Sequence, residues 1–376
     1  MAEELVAGLV AGGLAHIAQA LAGAVVGATH KGLAGKKVAS LDTGVLTHQG
    51  GGMISVVGTL GYVAGGMGMA ILDLSNPENP TKIKKVNTGV LSHEGSGTVA
   101  VSADGTKAYV AGGLGLAVID VSKPKAANKI GKCDTGVLCH NSGGHVLVDS
   151  KQNGGLLYVT GGLGVAIIDA SDPSKPKKLS SVDTGVLSHD GAGHSALAYP
   201  YLYVAGGLGM AVIDVSDPAK PSKVTSVNTT VGTHTGGNYV VLNYLGLAYV
   251  VGGLGLAIFD VSNPLAPSKV DVVNTGVLAH NSGGHAAILG EHLLVSGGLG
   301  LCILDASEPR APKVMGRVNT GVGTHDGGMG VAFGLGRYAF CAGGLGVAVI
   351  ELSESQTVDL MPVADSVPIA DRGAGQ

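Results

Sequence analysis

The sequence contains no tryptophan, and aromatic residues make up only 3% of its 376 residues. Its core must therefore be packed by Val, Leu, Ile and Ala. Charged residues are also scarce at 13%, and the net charge of −4 gives no reason to expect a nucleic-acid partner. The four cysteines contain no Cys-x-x-Cys pair, so the sequence lacks the spacing typical of zinc ribbons and disulfide frameworks. A reducing, intracellular compartment is the resulting expectation.

Common catalytic motifs are missing as well. The chain has no Gly-x-Ser-x-Gly elbow and no His-Glu-x-x-His pair, which are typical of hydrolases and zinc proteases. Its Gly-Gly-Leu-Gly segments are not followed by a helical pattern, which excludes a nucleotide-phosphate loop. Glu3 and Glu4 stand where a signal peptide would carry positive charge, so no secretory leader is expected. The lysines cluster after the third predicted strand of each repeat. This position predicts that they line the outer rim of the protein and increase its solubility.

Seven near-copies of one segment organise the chain. Each copy has Asp/Asn-Thr-Gly-Val-Leu-x-His or a close variant, an apolar run ending in Gly-Gly-Leu-Gly or Gly-Gly-Met-Gly, and an aliphatic stretch that in six copies leads to an Asp and a Ser-x-Pro turn. The copies are 45 to 49 residues apart, the length of a β-propeller blade. The repeated histidines are His48, His93, His140, His189, His234, His280 and His325.

One repeat predicts four antiparallel strands. In the fourth copy these strands cover residues 194–198, 201–205, 210–215 and 223–228. Glycines supply the tight turn after the second strand, and Asp, Ser and Pro end the third. Seven such copies predict an all-β, seven-bladed propeller of four-stranded antiparallel blades.

The ends of the chain divide it into three predicted parts. Residues 37–42 match the outer strand that the seventh copy lacks, so an N-terminal strand should complete blade seven and remove an exposed edge. The propeller then covers residues 37–353, followed by an extended or disordered tail at 354–376. Residues 1–36 are predicted to be an apolar helix and a linker, because apolar residues recur at helical spacing between residues 5 and 28. Packing on the propeller or self-association is favoured for this helix over membrane association.

The repeated histidines should encircle one mouth of the channel. The loop between blades and the turn after the second strand lie on the same face of a propeller, so this His-ringed, Gly-rich face could receive a small ligand or a protein partner. The alternative is structural: a residue present in every blade can hold neighbouring loops together by bonding a threonine hydroxyl or the backbone.

A second set of positions breaks the repeat. Five residues after each loop histidine, at the start of the inner strand, stand Met53, Thr98, His145, His194, Tyr239, His285 and Gly330. His145, His194 and His285 could converge on the axis and hold a divalent transition metal with an open position for water or substrate. They could equally line the channel and bond buried water.

Acidic residues follow three of the loop histidines. Glu94, Asp190 and Asp326 are candidate general bases or acceptors for an imidazole N–H, although capping of the loop is the more common role. A different set ends the third strands and is interpreted as turn caps, namely Asp73, Asp120, Asp169, Asp214, Asp260 and Asp305.

The third strand and its exit carry a family resemblance. The segments Leu-Ala-Val-Ile-Asp-Val-Ser at 116–122 and Met-Ala-Val-Ile-Asp-Val-Ser-Asp-Pro at 210–218 resemble the LVIVD-repeat family. The resemblance extends over all seven copies and implies a β-propeller. It implies no catalytic residues, and the Thr-Gly-Val-Leu-x-His loop departs from the family pattern.

Two functions remain open from the sequence. Near-identical blades favour a binding or assembly module that uses the whole face, with all seven loops as a possible glycan or anion site. The broken symmetry at His145, His194 and His285 favours the alternative, a metal-dependent lyase, hydrolase or oxidase with its site on the axis.

Overall fold

The computed structural model describes residues 32–49, 51–92, 97–139, 143–149, 155–188, 191, 193–233, 238–281, 283–324 and 328–355. These residues form seven four-stranded antiparallel sheets, which confirms the predicted seven-bladed propeller. Blade one contains β2 (Met53–Val57), β3 (Leu60–Gly65), β4 (Gly68–Asp73) and β5 (Thr81–Val86). Blade two contains β6 (Thr98–Val101), β7 (Lys107–Gly112), β8 (Gly115–Asp120) and β9 (Asn128–Cys133), with a single 3-10 turn at Pro124–Ala126.

The next four blades repeat this order from the channel outward. Blade three contains β10 (His145–Asp149), β11 (Leu156–Gly161), β12 (Gly164–Asp169) and β13 (Lys177–Val182). Blade four contains β14 (His194–Ala198), β15 (Tyr201–Gly206), β16 (Gly209–Asp214) and β17 (Ser222–Val227). Blade five contains β18 (Tyr239–Leu242), β19 (Leu247–Gly252), β20 (Gly255–Asp260) and β21 (Ser268–Val273). Blade six contains β22 (His285–Leu289), β23 (His292–Gly297), β24 (Gly300–Asp305) and β25 (Lys313–Val318).

Blade seven joins the two ends of the chain. It contains β26 (Gly330–Gly334), β27 (Tyr338–Gly343), β28 (Gly346–Ser355) and, as its outer strand, β1 (Gly32–Leu41). The predicted closing strand is thus confirmed, although it begins five residues before residue 37. β1 pairs with β28 from Gly32 opposite Ser355 to Leu41 opposite Val347, so the ring closes by main-chain hydrogen bonds.

The turn after the second strand explains why glycine recurs there. Gly209 has a φ of +149°, and a Cβ atom added to it would lie 2.4 Å from the carbonyl oxygen of Val227. A side chain is therefore excluded both by the backbone conformation and by the adjacent outer strand. The equivalent glycine of each other blade also has a positive φ, between 127° and 152°.

The hydrophobic core lies between the blades. Each pair of neighbouring blades shares a cluster of buried side chains, for example Tyr203 and Val212 of blade four with Val250 and Phe259 of blade five. The other six blade pairs contain equivalent clusters. Cys302 and Cys341 are buried in this core as predicted, and all four cysteines are free thiols.

The predicted N-terminal helix is the part of the fold class that requires correction. The structure has an all-β architecture, and the residues that it describes contain no α-helix. The predicted helix over residues 5–28 lies outside those residues, as does the tail from residue 356 onward. No described helix is long and apolar enough to cross a membrane.

The two faces of the propeller differ in their connections. We call "top" the face that carries the loops between blades and the turns between second and third strands. The bottom face carries the remaining turns, where the third strands end in the predicted aspartate caps. In blades one to six, Oδ1 of this aspartate accepts a hydrogen bond from the main-chain N–H of the serine two residues later, at 2.8 to 3.0 Å.

Candidate functional site: the top face and the channel mouth

Every loop between blades begins with the same turn. An Asp or Asn side-chain oxygen accepts the N–H of the residue two positions later, as Asp42 does from Gly44 at 2.8 Å. The six other loops repeat this bond at 2.8 to 3.0 Å. The residue that donates has a positive φ of 64° to 68°, which explains the repeated glycine. Only Thr230 has a side chain at this position.

The loop and the glycine turn of a blade form one hydrogen-bonded unit. The valine that follows the Thr-Gly pair, for example Val186, accepts the N–H of the turn residue Leu208 at 3.0 Å. All seven blades make this bond, at 2.9 to 3.1 Å. The threonine before the glycine is buried in every loop. The backbone of the top face is therefore held in one conformation around the ring.

This conformation leaves a large apolar side chain exposed in every blade. The third residue of each glycine turn has 42% to 54% of its side chain in solvent. We call these seven residues the leucine ring, which comprises Met67, Leu114, Leu163, Leu208, Leu254, Leu299 and Leu345. Seven exposed apolar side chains on one face make the leucine ring a candidate interaction surface.

Cations of the outer strands support the loops. Lys82 donates to the carbonyl of Thr43 at 3.2 Å, and Arg317 donates to the carbonyl of Thr275 at 2.6 Å. In four other blades the outer-strand lysine lies beside the loop glycine, because its Nζ would be 2.8 to 3.2 Å from a Cβ atom added to that glycine. These lysines are Lys37, Lys129, Lys178 and Lys223. Lys269 reaches the equivalent Thr230 hydroxyl at 3.4 Å. The sequence predicted only a solubilising rim for the lysines among them.

Two of the seven loop histidines lie in the described part of the chain. His48 and His280 are both exposed. Their main-chain carbonyls accept the hydroxyls of Thr324 at 2.8 Å and Thr233 at 2.9 Å, each from the preceding blade. Neighbouring loops are thus linked by these threonines. Outside the described residues lie His93, His140, His189, His234 and His325, together with the candidate acids Glu94, Asp190 and Asp326.

The second set of histidines does converge at the channel. His145 and His194 stack with ring centroids 4.2 Å apart, and His194 and His285 meet edge to face at 6.0 Å. Tyr239 fills the space between them, 4.5 Å from His194 and 3.6 Å from His285. The sequence placed the three histidines together but did not foresee the role of this tyrosine. The sequence did contain a sign of this role, because Tyr239 is an aromatic residue at the repeat position of the three histidines.

The channel residues also join neighbouring blades. Nδ1 of His145 accepts the main-chain N–H of Ser195 in the next blade at 3.2 Å. Nδ1 of His285 accepts the N–H of Val331 at 3.5 Å. Thr98 accepts the N–H of Val146 in the same way, at 3.0 Å. Because a main-chain N–H can only donate, Nδ1 of each neutral imidazole carries no proton, and the proton resides on Nε2.

His194 differs from the other two imidazoles. Its Nδ1 is buried and has no hydrogen-bond partner. Burial lowers the pKa of His194 well below its usual value, and the neighbouring His145 and His285 lower it further. Burial raises the pKa of Tyr239. Burial therefore favours the uncharged forms of His194 and Tyr239, which lie in contact with the two other imidazoles.

The hydrogen bonds of these imidazoles give no support to a divalent metal at the channel. A metal-ligating histidine usually donates its second ring N–H to an acceptor. His145 and His285 do the reverse, since they accept at Nδ1 and keep the proton on Nε2. Within the described residues, no group of three or more His, Cys, Asp or Glu side chains is placed to hold a metal ion. The metal site stays a prediction without support from this geometry.

Comparisons with known proteins agree on the repeat and the fold. The model of the LVIVD repeat matches residues 52–88, 97–135, 152–184, 198–229, 243–275 and 284–320, which is more than half of the chain. These six matches correspond to blades one to six. No curated protein matches the chain.

Several solved structures share the propeller architecture. A putative 6-phosphogluconolactonase from Bacteroides uniformis has a TM-score of 0.56 and 13% identity, with 69% of this chain and 82% of that one covered. The periplasmic gluconolactonase of Pseudomonas aeruginosa gives 0.54 and 14%, covering 71% and 83%. Virginiamycin B lyase from Staphylococcus aureus gives 0.53 and 12%, covering 85% and 98%. Identities this low show a common fold and nothing about activity.

Proposed function

The chain belongs to the LVIVD-repeat family, and we propose that this propeller is an assembly module whose leucine ring docks onto the leucine ring of a second copy. One observation carries the proposal: seven apolar side chains are exposed on one face, each presented by the same hydrogen-bonded turn. Exposed apolar surface of this kind is typical of protein interaction sites.

Symmetry favours a second copy as the partner. A two-fold axis perpendicular to the channel would bring each ring residue of one copy against a ring residue of the other. Such an interface is self-complementary, as in most homodimers. Any other partner would need its own apolar surface with seven-fold spacing, whereas this chain already supplies one. A symmetric surface suits assembly better than catalysis, which usually requires residues that differ between blades.

The support for the ring suits a rigid docking surface. The turn of Leu208 is bonded to Val186, and Lys223 lies against the same loop at Gly185. Because the turn is fixed before binding, docking does not have to order a flexible loop. A preformed surface loses less conformational entropy on association.

Sedimentation equilibrium of the full chain tests the proposal. The test variant is Leu163→Gln with Leu208→Gln, and the matched control is Leu179→Gln with Val272→Gln, two equally exposed apolar residues of outer strands. A dimer would lose four leucine contacts in the test variant. At roughly 1 kcal/mol for each half-buried leucine, its Kd should rise about a thousandfold. The control should dimerise like the wild type.

Three results would overturn the proposal. One is a wild-type chain that stays monomeric at the highest concentration measured. Another is an equal loss of dimer in the test and control variants. A dimer that survives in the test variant but disappears when residues 1–31 are removed would assign assembly to the N-terminal segment.

A further inference from the structure

The bottom face of the propeller carries an apolar patch at one position only among the described turns. In blade five, Tyr244 and Leu245 occupy the turn between β18 and β19, with 74% and 54% of their side chains exposed. Leu265, in the turn between β20 and β21, is 61% exposed. At the position of Leu265 the other complete blades have Glu78, Lys125, Ser174, Ala219 and Arg310.

These side chains form one surface because their turns are in contact. The N–H of Val261, at the exit of β20, donates to the carbonyl of Gly246 in the first turn at 2.8 Å. A Cβ atom on Gly246 would lie 3.3 Å from the Cα atom of Ser262. The turns of blade five that carry Tyr244, Leu245 and Leu265 are therefore packed against each other.

Blade four lies against blade five here and exposes an aromatic turn residue of its own. Tyr199, in the equivalent turn between β14 and β15, is 46% exposed. The hydroxyl of Tyr203 in the same blade lies 3.5 Å from the carbonyl of Val261. We call Tyr244, Leu245 and Leu265 together the bottom patch. It interrupts the seven-fold symmetry that the top face retains.

The chain itself contains a matching apolar segment. Residues 5–28 include no Asp, Glu, Lys or Arg, and they contain Val6, Val10, Leu14, Ile17, Leu21 and Val25. Such a segment is stabilised when its apolar surface leaves water. It joins the propeller at Gly32, which pairs with Ser355 at the bottom end of blade seven. The attachment point Gly32 and the bottom patch thus lie on the same face of the propeller, two blades apart.

We propose that residues 5–28 of the same chain cover the bottom patch. Thirty-one residues precede β1, and an extended chain of that length spans roughly 100 Å, so reach is not limiting. Covalent attachment gives the segment an effective concentration on the order of millimolar at the patch. A separate copy reaches that concentration only in concentrated solution, which favours the segment over a second molecule as the occupant.

Photo-cross-linking in the full chain tests this inference. A photoreactive phenylalanine derivative replaces Tyr244, and a control chain carries it in place of Leu208 in the leucine ring. Irradiation should join position 244 to residues 5–28, as identified by mass spectrometry, while position 208 should not. In a mixture of isotopically light and heavy protein, the joined peptides should come from one chain.

A second variant measures the contribution of the patch. In the chain that carries the photoreactive group at position 244, Leu265→Lys should weaken docking roughly tenfold, because a leucine loses its burial. Leu179→Lys, the same substitution on the outer strand of blade three, should leave the cross-link unchanged. Circular dichroism and thermal unfolding confirm that each variant is folded.

Each contrary result is informative. Cross-links from position 208 to residues 5–28 would place the segment on the leucine ring and overturn the inference. Cross-links between light and heavy chains at position 244 would identify a second copy as the occupant. An absence of any cross-link between position 244 and residues 5–28 would also overturn it. None of these measurements depends on whether the leucine ring mediates assembly.

Discussion

Two of the channel histidines, His145 and His194, should respond differently to the same substitution. Phenylalanine keeps an aromatic ring in the stacked cluster but removes both ring nitrogens. In His145→Phe the N–H of Ser195 loses the acceptor that lies 3.2 Å away, and an unsatisfied buried donor costs about 1–3 kcal/mol. His194→Phe removes a nitrogen that has no partner, so it should be neutral or stabilise the fold by about 1 kcal/mol.

Urea unfolding at pH 8 measures this difference, because this pH lies well above the ordinary pKa of an imidazole. We expect His145→Phe to lower the free energy of unfolding by about 2 kcal/mol relative to His194→Phe, with unchanged m-values. His145→Asn offers a control that retains a side-chain acceptor. Equal losses in His145→Phe and His194→Phe would refute the reasoning. Added metal salts that stabilise the wild type but neither variant would instead support the axial metal site.

Two further predictions concern pH and the loop backbone. The pKa of His194 is lowered in the folded protein, whereas the unfolded chain binds this proton near pH 6.5; stability is therefore complete above about pH 6.5 and falls by about 1.4 kcal/mol per pH unit below it. In His194→Phe the free energy of unfolding should therefore depend less on pH below 6.5, by the contribution of one proton. An unchanged dependence on pH would contradict the burial of a neutral imidazole. Gly136→Ala places a methyl group at a φ of +67° and 2.8 Å from Nζ of Lys178, so it should lower the free energy of unfolding by about 2–3 kcal/mol. Gly58→Ala is the control, because its φ is +58° and no atom lies within 4 Å of the added methyl group. It should lower the free energy of unfolding by only about 1–2 kcal/mol. Thermal unfolding compares the two, and equal costs would show that the lysine contributes nothing to the loop.

The architecture could be predicted because the same pattern recurs once in each of the seven blades. Glycine turns, Asp-x-Ser-x-Pro turns and β-branched runs place the four strands of blade four within one residue of those observed. The closing strand could be predicted because residues 37–42 match an outer strand. The N-terminal helix was inferred from spacing alone, with no partner surface to support it, and the structure does not bear it out.

The site was predicted less completely than the fold. Convergence of His145, His194 and His285 follows from repeat position, but their hydrogen bonds do not. Whether an imidazole accepts from a neighbouring blade or ligates a metal depends on which nitrogen faces which backbone group. The leucine ring was present in every copy of the repeat, yet its exposure depends on the bond between Leu208 and Val186, which joins residues distant in sequence.

The closure of blade seven determines how this protein can be tethered. Gly32 and Ser355 are neighbours across β1 and β28 at the bottom face, so anything attached before residue 32 or after residue 355 leaves from the same place. A bead, tag or fused domain at either end would orient the leucine ring away from its support. Two copies joined ring to ring would carry all four attachment points on opposite outer surfaces, which is the geometry of a cross-linker between two supports.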